Sequence, residues 1–491
     1  MESTKSFGQG SGVLRRKPID DGADDVVEGS GLTRSLGLWH LTAIGVGAII
    51  GAGVFSLAGA VARDTAGPGV LFSFLIAGIA SAAAAFSYAE FAGLIPRAGS
   101  AYTYGYIVLG EIVGWFIGWD LLLEYIAIVA VVAIGISGYF NFFLQGIGLT
   151  MPAWMMGAPG TEPDGVPEGT YRVNLVAVLL CLFIAFLLTR GVRNAARFET
   201  VVVAIKVVIV LVIVMVGVFY IDPANYSPFL PFGVTGTFAG AAVVFFAVFG
   251  YDAMSTAAEE ATDARRHMPR AIILSLAVSM VLYVLACLVL TGMQKYTDID
   301  PEAGFSAAFA SVGLGWLANL IAVGAVISIL TVMFTFMLGV TRVWFAMSRD
   351  GLLPKWFAKT DPKHNVPVRV TWIAGVLSAV LAGLLPIGEA ATLTNIGILS
   401  AFVVVCASVI VLRYRRPDLP RSFRCPGMPV VPAIGIVFSL WLISFLDVHT
   451  FIRFGGWLLI GLVIYGLYSY RASNLNRPPA GTAVPDGPAS G

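Results

Sequence analysis

Apolar residues in this chain do not alternate with polar ones; they gather in twelve long runs. The runs begin near Leu41, Val70, Ile112, Leu175, Val201, Phe238, Ile272, Leu317, Val370, Leu393, Val430 and Phe454, each bounded by charged residues or by clusters of Pro and Gly. An apolar run of about 18 residues is the length a bilayer demands of a helix, and only helices or closed barrels satisfy every backbone group inside one. The pattern therefore predicts an all-α polytopic membrane protein with twelve transmembrane helices. Composition strengthens this: of 491 residues, 58% are hydrophobic and 12% charged, with a mean hydropathy of +0.86, where soluble domains carry about 25% charged residues. A soluble fold is excluded.

The few charges decide the orientation. With both termini in the cytoplasm, 25 of the 30 Lys and Arg fall in the tails and the even-numbered loops; the opposite side holds Arg63, Arg172, Lys295 and Arg453, and Lys206 is left inside a span. Lys and Arg concentrate in cytoplasmic loops, so a multi-pass protein of the plasma (inner) membrane with both termini cytoplasmic is expected. Residues 1–33 and 472–491 are polar and predict disordered cytoplasmic tails, without the apolar stretch of a cleaved signal. A net charge of +1 gives no pull toward nucleic acid. Cys181, Cys287, Cys406 and Cys425 show no pairing or metal-ligand spacing, and His40, His267, His364 and His449 lie near helix ends or in loops. No Gly-x-x-x-x-Gly-Lys-Ser/Thr loop occurs. No metal or cofactor is expected, and an ion gradient is left as the energy source.

Two runs are poor helices. The first, from Trp39 to Phe55, holds Gly45, Gly47, Gly51 and Gly53 at mid-depth, where each lowers helix stability by about 1 kcal/mol against Ala. Gly47-x-x-x-Gly51 is also the small-residue pattern of helix interfaces, and taken alone this run is read that way. The sixth run changes the balance: Phe245-Phe246-Ala247-Val248-Phe249-Gly250-Tyr251-Asp252 puts a lone glycine and then a carboxylate inside an apolar stretch, five spans after the first. That spacing suggests an internal repeat. Inverted-repeat transporters pair discontinuous helices at the midplane, offering free N–H groups to an anion and unwound carbonyls to a cation. An α-amino acid is such a dipolar ligand.

Four stretches carry a resemblance. They are Gly45 through Phe55 (GVGAIIGAGVF); Tyr88-Ala-Glu-Phe-Ala with Pro96 through Tyr104, then Gly110-Glu111, Gly118-Trp119 and Glu124-Tyr125; Phe249 through Glu260 (FGYDAMSTAAEE) ahead of Pro269-Arg270; and Met347 through Pro354 (MSRDGLLP). Together, over about residues 32–470, they resemble the amino acid–polyamine–organocation superfamily, and within it the cationic amino acid transporter family with its bacterial members. The resemblance implies a five-plus-five inverted repeat with discontinuous helices 1 and 6: spans 1–5 in residues 34–225, spans 6–10 in 226–412, and spans 11–12 in 413–471. It further implies a substrate gripped at the break beside Gly51. There the N–H groups of Ala52 and Gly53 would hold a carboxylate, and the carbonyls of Ile49, Phe246 and Phe249 an ammonium. Oriented amides can solvate a zwitterion in a low-dielectric site without a full protein charge beside it. The plainer reading of Phe246 and Phe249 is packing or lipid contact.

Lys206 stands in Val201-Val-Val-Ala-Ile-Lys206-Val-Val-Ile-Val, with no other charge between Glu199 and Asp222. Holding it mid-helix costs about 2.5–3.5 kcal/mol on insertion scales, which makes it the candidate for proton coupling; a permanently paired structural lysine is the alternative. In the resembling family a lysine here stands where sodium sits in sodium-coupled relatives, near span 1 backbone and a span 8 hydroxyl. Ser328, Thr331 and Thr335 are equal candidates for that hydroxyl. Glu124 could neutralise Lys206, carry protons itself or meet a cationic side chain of the substrate. Asp120, one turn earlier on the same face, is expected nearer solvent. Glu90, Glu111, Asp252, Glu259 and Glu260 are read as structural, the last two in an ion network with Arg265, Arg266 and Arg270.

The sequence thus predicts a secondary active transporter and not an enzyme: a proton-coupled amino acid symporter working by alternating access. Phe246 and Phe249 crowd the pocket, and Phe336 adds bulk without an acid, so small neutral amino acids such as alanine are favoured. An Arg/Lys transporter or exchanger is the second reading, with Glu124 as counter-charge. A channel and a non-transporting amino acid sensor are the competing classes; no nucleophile–base pair points to catalysis. The expected partners are the amino acid, protons and the lipid bilayer, without nucleic acid; on a small membrane subunit the sequence is silent.

Overall fold

Each of the twelve apolar runs lies on a helix in the computed structural model, which describes residues 12–16, 36–51, 53–95, 100–162, 166–190, 195–255, 258, 261–301, 303–361 and 367–476. Helix α1 (Leu38–Ile49) stops abruptly, and the chain resumes beyond the break as wide turns over Gly53–Leu57, the short α2 (Ala58–Val61) and Ala62–Ala66. A bend at Gly67–Gly69 leads to α3 (Val70–Leu94), α4 (Ser100–Val108), α5 (Glu111–Gly146), α6 (Leu175–Thr189) and α7 (Ala195–Gly217). A second interruption divides α8 (Gly233–Val244) from α9 (Tyr251–Ser255). Then follow α10 (Ala264–Met293), α11 (Gly304–Ser311), α12 (Gly315–Arg349), α13 (Val368–Leu384), α14 (Ile387–Arg415), α15 (Val430–Ile443) and α16 (Val448–Ile464).

By length and apolarity, eight helical stretches among the described residues suffice to cross a membrane, where the sequence pattern predicts twelve. The difference lies in α1, α6, α13 and α15, apolar helices of 12 to 17 residues. At about 1.5 Å per residue these cover roughly 18–26 Å, short of a hydrocarbon core of about 30 Å. Helix α1 is short because it is broken, and its run continues past the break.

Burial follows helical periodicity. On α7, Val203, Lys206, Val210 and Ile213 face inward while Val201, Ile205, Val208 and Met215 form an exposed apolar strip, as a lipid-facing surface requires. Helix α5 is the central pillar: every residue from Ile117 to Tyr139 is buried. Helix α16 is clamped onto it by two indoles, Trp119 and Trp457, stacked at 4.5 Å, each donating its Nε1–H to the other's carbonyl at 2.8 and 3.0 Å.

Ionic contacts gather at the end where the Arg-rich loops lie. Buried Glu90 of α3 accepts from both Arg413 of α14 and Arg421, the latter at 2.9 Å, and from the Cys425 N–H at 2.8 Å. Buried Glu111, at the start of α5, accepts from Arg15 at 2.9 Å, Tyr465 at 3.0 Å and Ser473 at 2.5 Å. Both carboxylates are structural, as expected; Glu259 and Glu260 lie outside the described residues.

The two interruptions touch. Gly250 has φ +121°, and a methyl group there would lie 2.9 Å from the Ala48 carbonyl carbon. Gly250→Ala should therefore destabilise the protein through both strain and overlap, by about 1–3 kcal/mol, whereas Gly388→Ala, where a methyl meets nothing within 4 Å, should be neutral. Thermal unfolding of the two variants in detergent checks this; equal melting temperatures would show that the close approach is not required.

Candidate functional site

Helix α1 ends because Ile50 turns extended, at φ −75° and ψ 106°, while its N–H still reaches the Val46 carbonyl at 2.8 Å. A helix end normally leaves carbonyls without partners; here side chains from two other helices, α7 and α10, supply their donors. Lys206 of α7 donates from Nζ to the Gly47 carbonyl at 2.8 Å and the Ile50 carbonyl at 3.0 Å. It also donates to Thr331 Oγ1 of α12 at 3.1 Å, and Thr331 in turn donates to the Ser328 carbonyl at 2.8 Å. Of the three hydroxyls left open by the sequence, Thr331 is the one that meets the lysine. Tyr283 of α10 donates to the Ile49 carbonyl at 2.6 Å. Lys206 has no exposed surface at all.

The second interruption is built in the same way. After the tight turn Phe245–Ala247, the chain is unwound through Phe249 and Gly250 before α9. Asn395 of α14 donates to the Ala242 and Val243 carbonyls at 2.7 and 3.0 Å, and Ser81 of α3 to the Val248 carbonyl at 2.7 Å. A methyl on Gly53 would lie 2.3 Å from the Ala247 side chain, and one on Gly51 would lie 2.7 Å from Val332. Ile49, Gly51, Gly53, Phe246 and Phe249 are thus brought to one junction; Ala52 lies outside the described residues.

One side of this junction is aromatic. The Phe249 ring lies 5.8 Å from Phe246 and 5.5 Å from Phe336, and Phe336 meets Tyr125 edge-on at 5.3 Å. Phe246 and Phe249 are buried, at 5% and 2% exposure, and do not face lipid. Tyr125 donates to Asp252 Oδ2 at 2.6 Å, joining α5 to α9.

Glu124, the residue before Tyr125, is buried, and its ionisable neighbours include Asp252, Asp120, Tyr88 and Tyr125. Asp120 corrects the sequence expectation outright: it is fully buried rather than near solvent, because α14 covers this face of α5 and presents Gly397 to it. Sequence reasoning also missed Tyr283, Tyr125, Ser81 and Asn395. Asn395, a lone amide within an apolar run, carried a usable signal; a tyrosine among 16 did not.

Comparison with known proteins gives a consistent class. A family model described as amino acid permease matches residues 36–466. A branched-chain amino acid permease of Bacillus subtilis (strain 168) is 45% identical, over 95% of this chain and 99% of its own length. A methylthioribose transporter of the same organism is 43% identical, over 95% of this chain and all of its own. A vacuolar cationic amino acid transporter of Arabidopsis thaliana is 38% identical over 85% of this chain and 66% of its own.

The lysine's bonds set a stability order. Thr331→Val removes one acceptor and should cost about 1 kcal/mol, while Lys206→Ala strips the Gly47 and Ile50 carbonyls of their donor, at about 1–3 kcal/mol for each buried group left unmade. Thermal unfolding should rank parent above Thr331→Val above Lys206→Ala; a Lys206→Ala protein as stable as the parent would mean that the break is held by something else.

Proposed function

Because the chain belongs to the amino acid permease family of the amino acid–polyamine–organocation superfamily, and is therefore a transporter and not an enzyme, we propose that it carries neutral amino acids across the plasma membrane by alternating access, driven by protons. In this reading all twelve apolar runs cross the bilayer, the first ten as two inverted halves, residues 34–225 and 226–412, and the Arg-rich loops face the cytoplasm. The paired interruptions and the lopsided Lys and Arg distribution support it.

The observation that carries the proposal is the position of Lys206 at the α1 break, where it holds two carbonyls of the helix end. An ammonium has three N–H donors, and the carbonyls of Gly47 and Ile50 and the hydroxyl of Thr331 offer three acceptors. A neutral amine has two donors and a lone pair, so deprotonation sets a lone pair against one of the three acceptors. The proton thereby biases how α1 is held against α7 and α12, a differential contact between two states of the kind that coupling requires.

The substrate's carboxylate would lie at the N–H groups of Ala52 and Gly53, where helical turns resume. Its ammonium would lie at the carbonyls of Ile49, Phe246 and Phe249. The Ile49 carbonyl already accepts from Tyr283, and its second lone pair serves the ammonium. The side chain would meet Phe249, Phe336 and Tyr125, which suits apolar groups: alanine, and, in keeping with the name of the 45%-identical relative, branched-chain residues. Arginine and lysine are a second reading, favoured by the buried Glu124, whose Oε2 has no hydrogen-bond partner, and by the name of the Arabidopsis relative.

Uptake of labelled alanine, leucine and arginine into proteoliposomes, with pH and sodium gradients imposed separately, tests the proposal, with methylthioribose among the competitors. A pH gradient should drive accumulation of alanine or leucine and a sodium gradient should not; arginine should compete poorly. Lys206→Ala should lose concentrative, pH-dependent uptake. Accumulation that survives that substitution with its pH dependence intact would refute the role given to Lys206.

A further inference from the structure

The coupling scheme above leaves one buried ionisable group without a task. Asp120 has no exposed surface, and neither of its carboxyl oxygens has a hydrogen-bond partner. It lies one turn of α5 from Glu124, about 6 Å along the axis, on the side of the Arg-rich loops. Glu124 Oε2 and Asp252 Oδ1 are likewise buried without a partner. The surface of α14 opposite is notched: a methyl group on Gly397 would fall 2.8 Å from Asp120 Oδ1 and 3.3 Å from Glu124 Cβ. The missing side chain leaves one shared recess for both acidic side chains.

An ionised carboxylate with no donor and no cation costs several kcal/mol when removed from water. Ionisable groups that persist inside membranes mark ion or proton paths. The groups around Asp120 bear on which. Its own helix supplies Glu124, and α9 adds Asp252 behind Glu124. Helix α14 presents Gly397. Of the nearby phenols, Tyr125 is committed to Asp252, Tyr102 of α4 to Asp350 at the end of α12, at 2.7 Å, and buried Tyr88 of α3 lies within electrostatic reach of Glu124 and Asp252. Helix α16 brings the indole of Trp457 against the neighbouring Trp119. Carboxyl groups, not cationic side chains, are what Asp120 is set beside.

We infer that Asp120 is a second proton-binding site, which passes protons between Glu124 and the face bearing the Arg-rich loops. The O–H bond of Asp120 breaks as that of Glu124 forms, so the negative charge moves one turn along α5, and Asp120 is reprotonated when the alternating-access cycle admits water to it from that face. Gly397 keeps the recess open for the exchange. The inference rests on the proton-coupled reading of the transporter.

Asp120→Asn keeps the shape and removes the exchangeable proton. In proteoliposomes of the full chain, counterflow of labelled amino acid, which needs no net proton movement, should stay within about two-fold of the parent. Accumulation driven by a pH gradient, and the accompanying acidification of the lumen read by a trapped dye, should fall at least ten-fold, and Asp120→Glu should restore part of it. Infrared difference spectra between acidic and alkaline buffer should lose a protonated-carboxyl band in Asp120→Asn. Full proton-driven accumulation by Asp120→Asn overturns the inference and leaves proton coupling standing. So does an equal loss of counterflow and accumulation that Asp120→Glu does not restore, or an unchanged infrared band. A parent protein that ignores the pH gradient overturns the proton-coupled reading itself, and this inference with it.

Discussion

The structure depends on one exchange of obligations between a buried ammonium and a broken helix. Lys206 within an apolar helix costs about 2.5–3.5 kcal/mol, and each main-chain carbonyl left without a donor costs about 1–3 kcal/mol. Either defect alone would be poorly tolerated. Placed together, the Nζ of Lys206 answers the carbonyls of Gly47 and Ile50, and each liability offsets the other. The break cannot be repaired without stranding the lysine, and the lysine cannot be neutralised without loosening the break. On the proposed proton-coupled reading, that mutual dependence is what would let a single proton change backbone structure.

The surrounding contacts are of two kinds. Where the interruptions meet, the contacts are between backbone and small residues: Gly250 on Ala48 and Gly53 on Ala247. Such surfaces pack closely without directional bonds. At the Arg-rich end, Glu90 and Glu111 gather charge-assisted hydrogen bonds from loops and chain ends, and these resist displacement because breaking them strands a buried carboxylate. An arrangement that opens and closes around a cargo needs both: a smooth junction at the middle and firm ties where the pieces join their frame.

Much of this was legible in the sequence, for definite reasons. Twelve apolar runs and two glycine interruptions are signals of composition along a line, and so is a solitary lysine in a run of valines. Angular and tertiary facts were not legible. Ser328, Thr331 and Thr335 follow one another at intervals of three and four residues, on one face of α12, so only the position of α7 picks out Thr331. Asp120 looked solvent-facing because it lies near the start of α5, and its burial is decided by α14, some 277 positions later, through Gly397. Tyr283 was invisible because its importance comes from one carbonyl on another helix. The pattern predicts twelve crossings where eight helical stretches among the described residues are long enough, because hydropathy reports that a run is apolar, not how long its helix is.

The division of labour within the junction bears on cargo. On the proposed reading, backbone amides and carbonyls would recognise what all α-amino acids share, and discrimination would fall on the side chains Phe249, Phe336, Tyr125 and Glu124. Two relatives of nearly equal identity, 45% and 43%, are named for a branched-chain amino acid and for methylthioribose, and the second of these is a sugar derivative with neither carboxylate nor ammonium. Nearly equal whole-chain identity thus accompanies differently named cargoes and does not choose between them. The proposed preference for a neutral aliphatic side chain rests on the apolar character of those aromatic side chains rather than on the name of any relative. Glu124 would overturn the preference only if a cationic group could reach past Phe249 and Phe336 to its unpartnered oxygen.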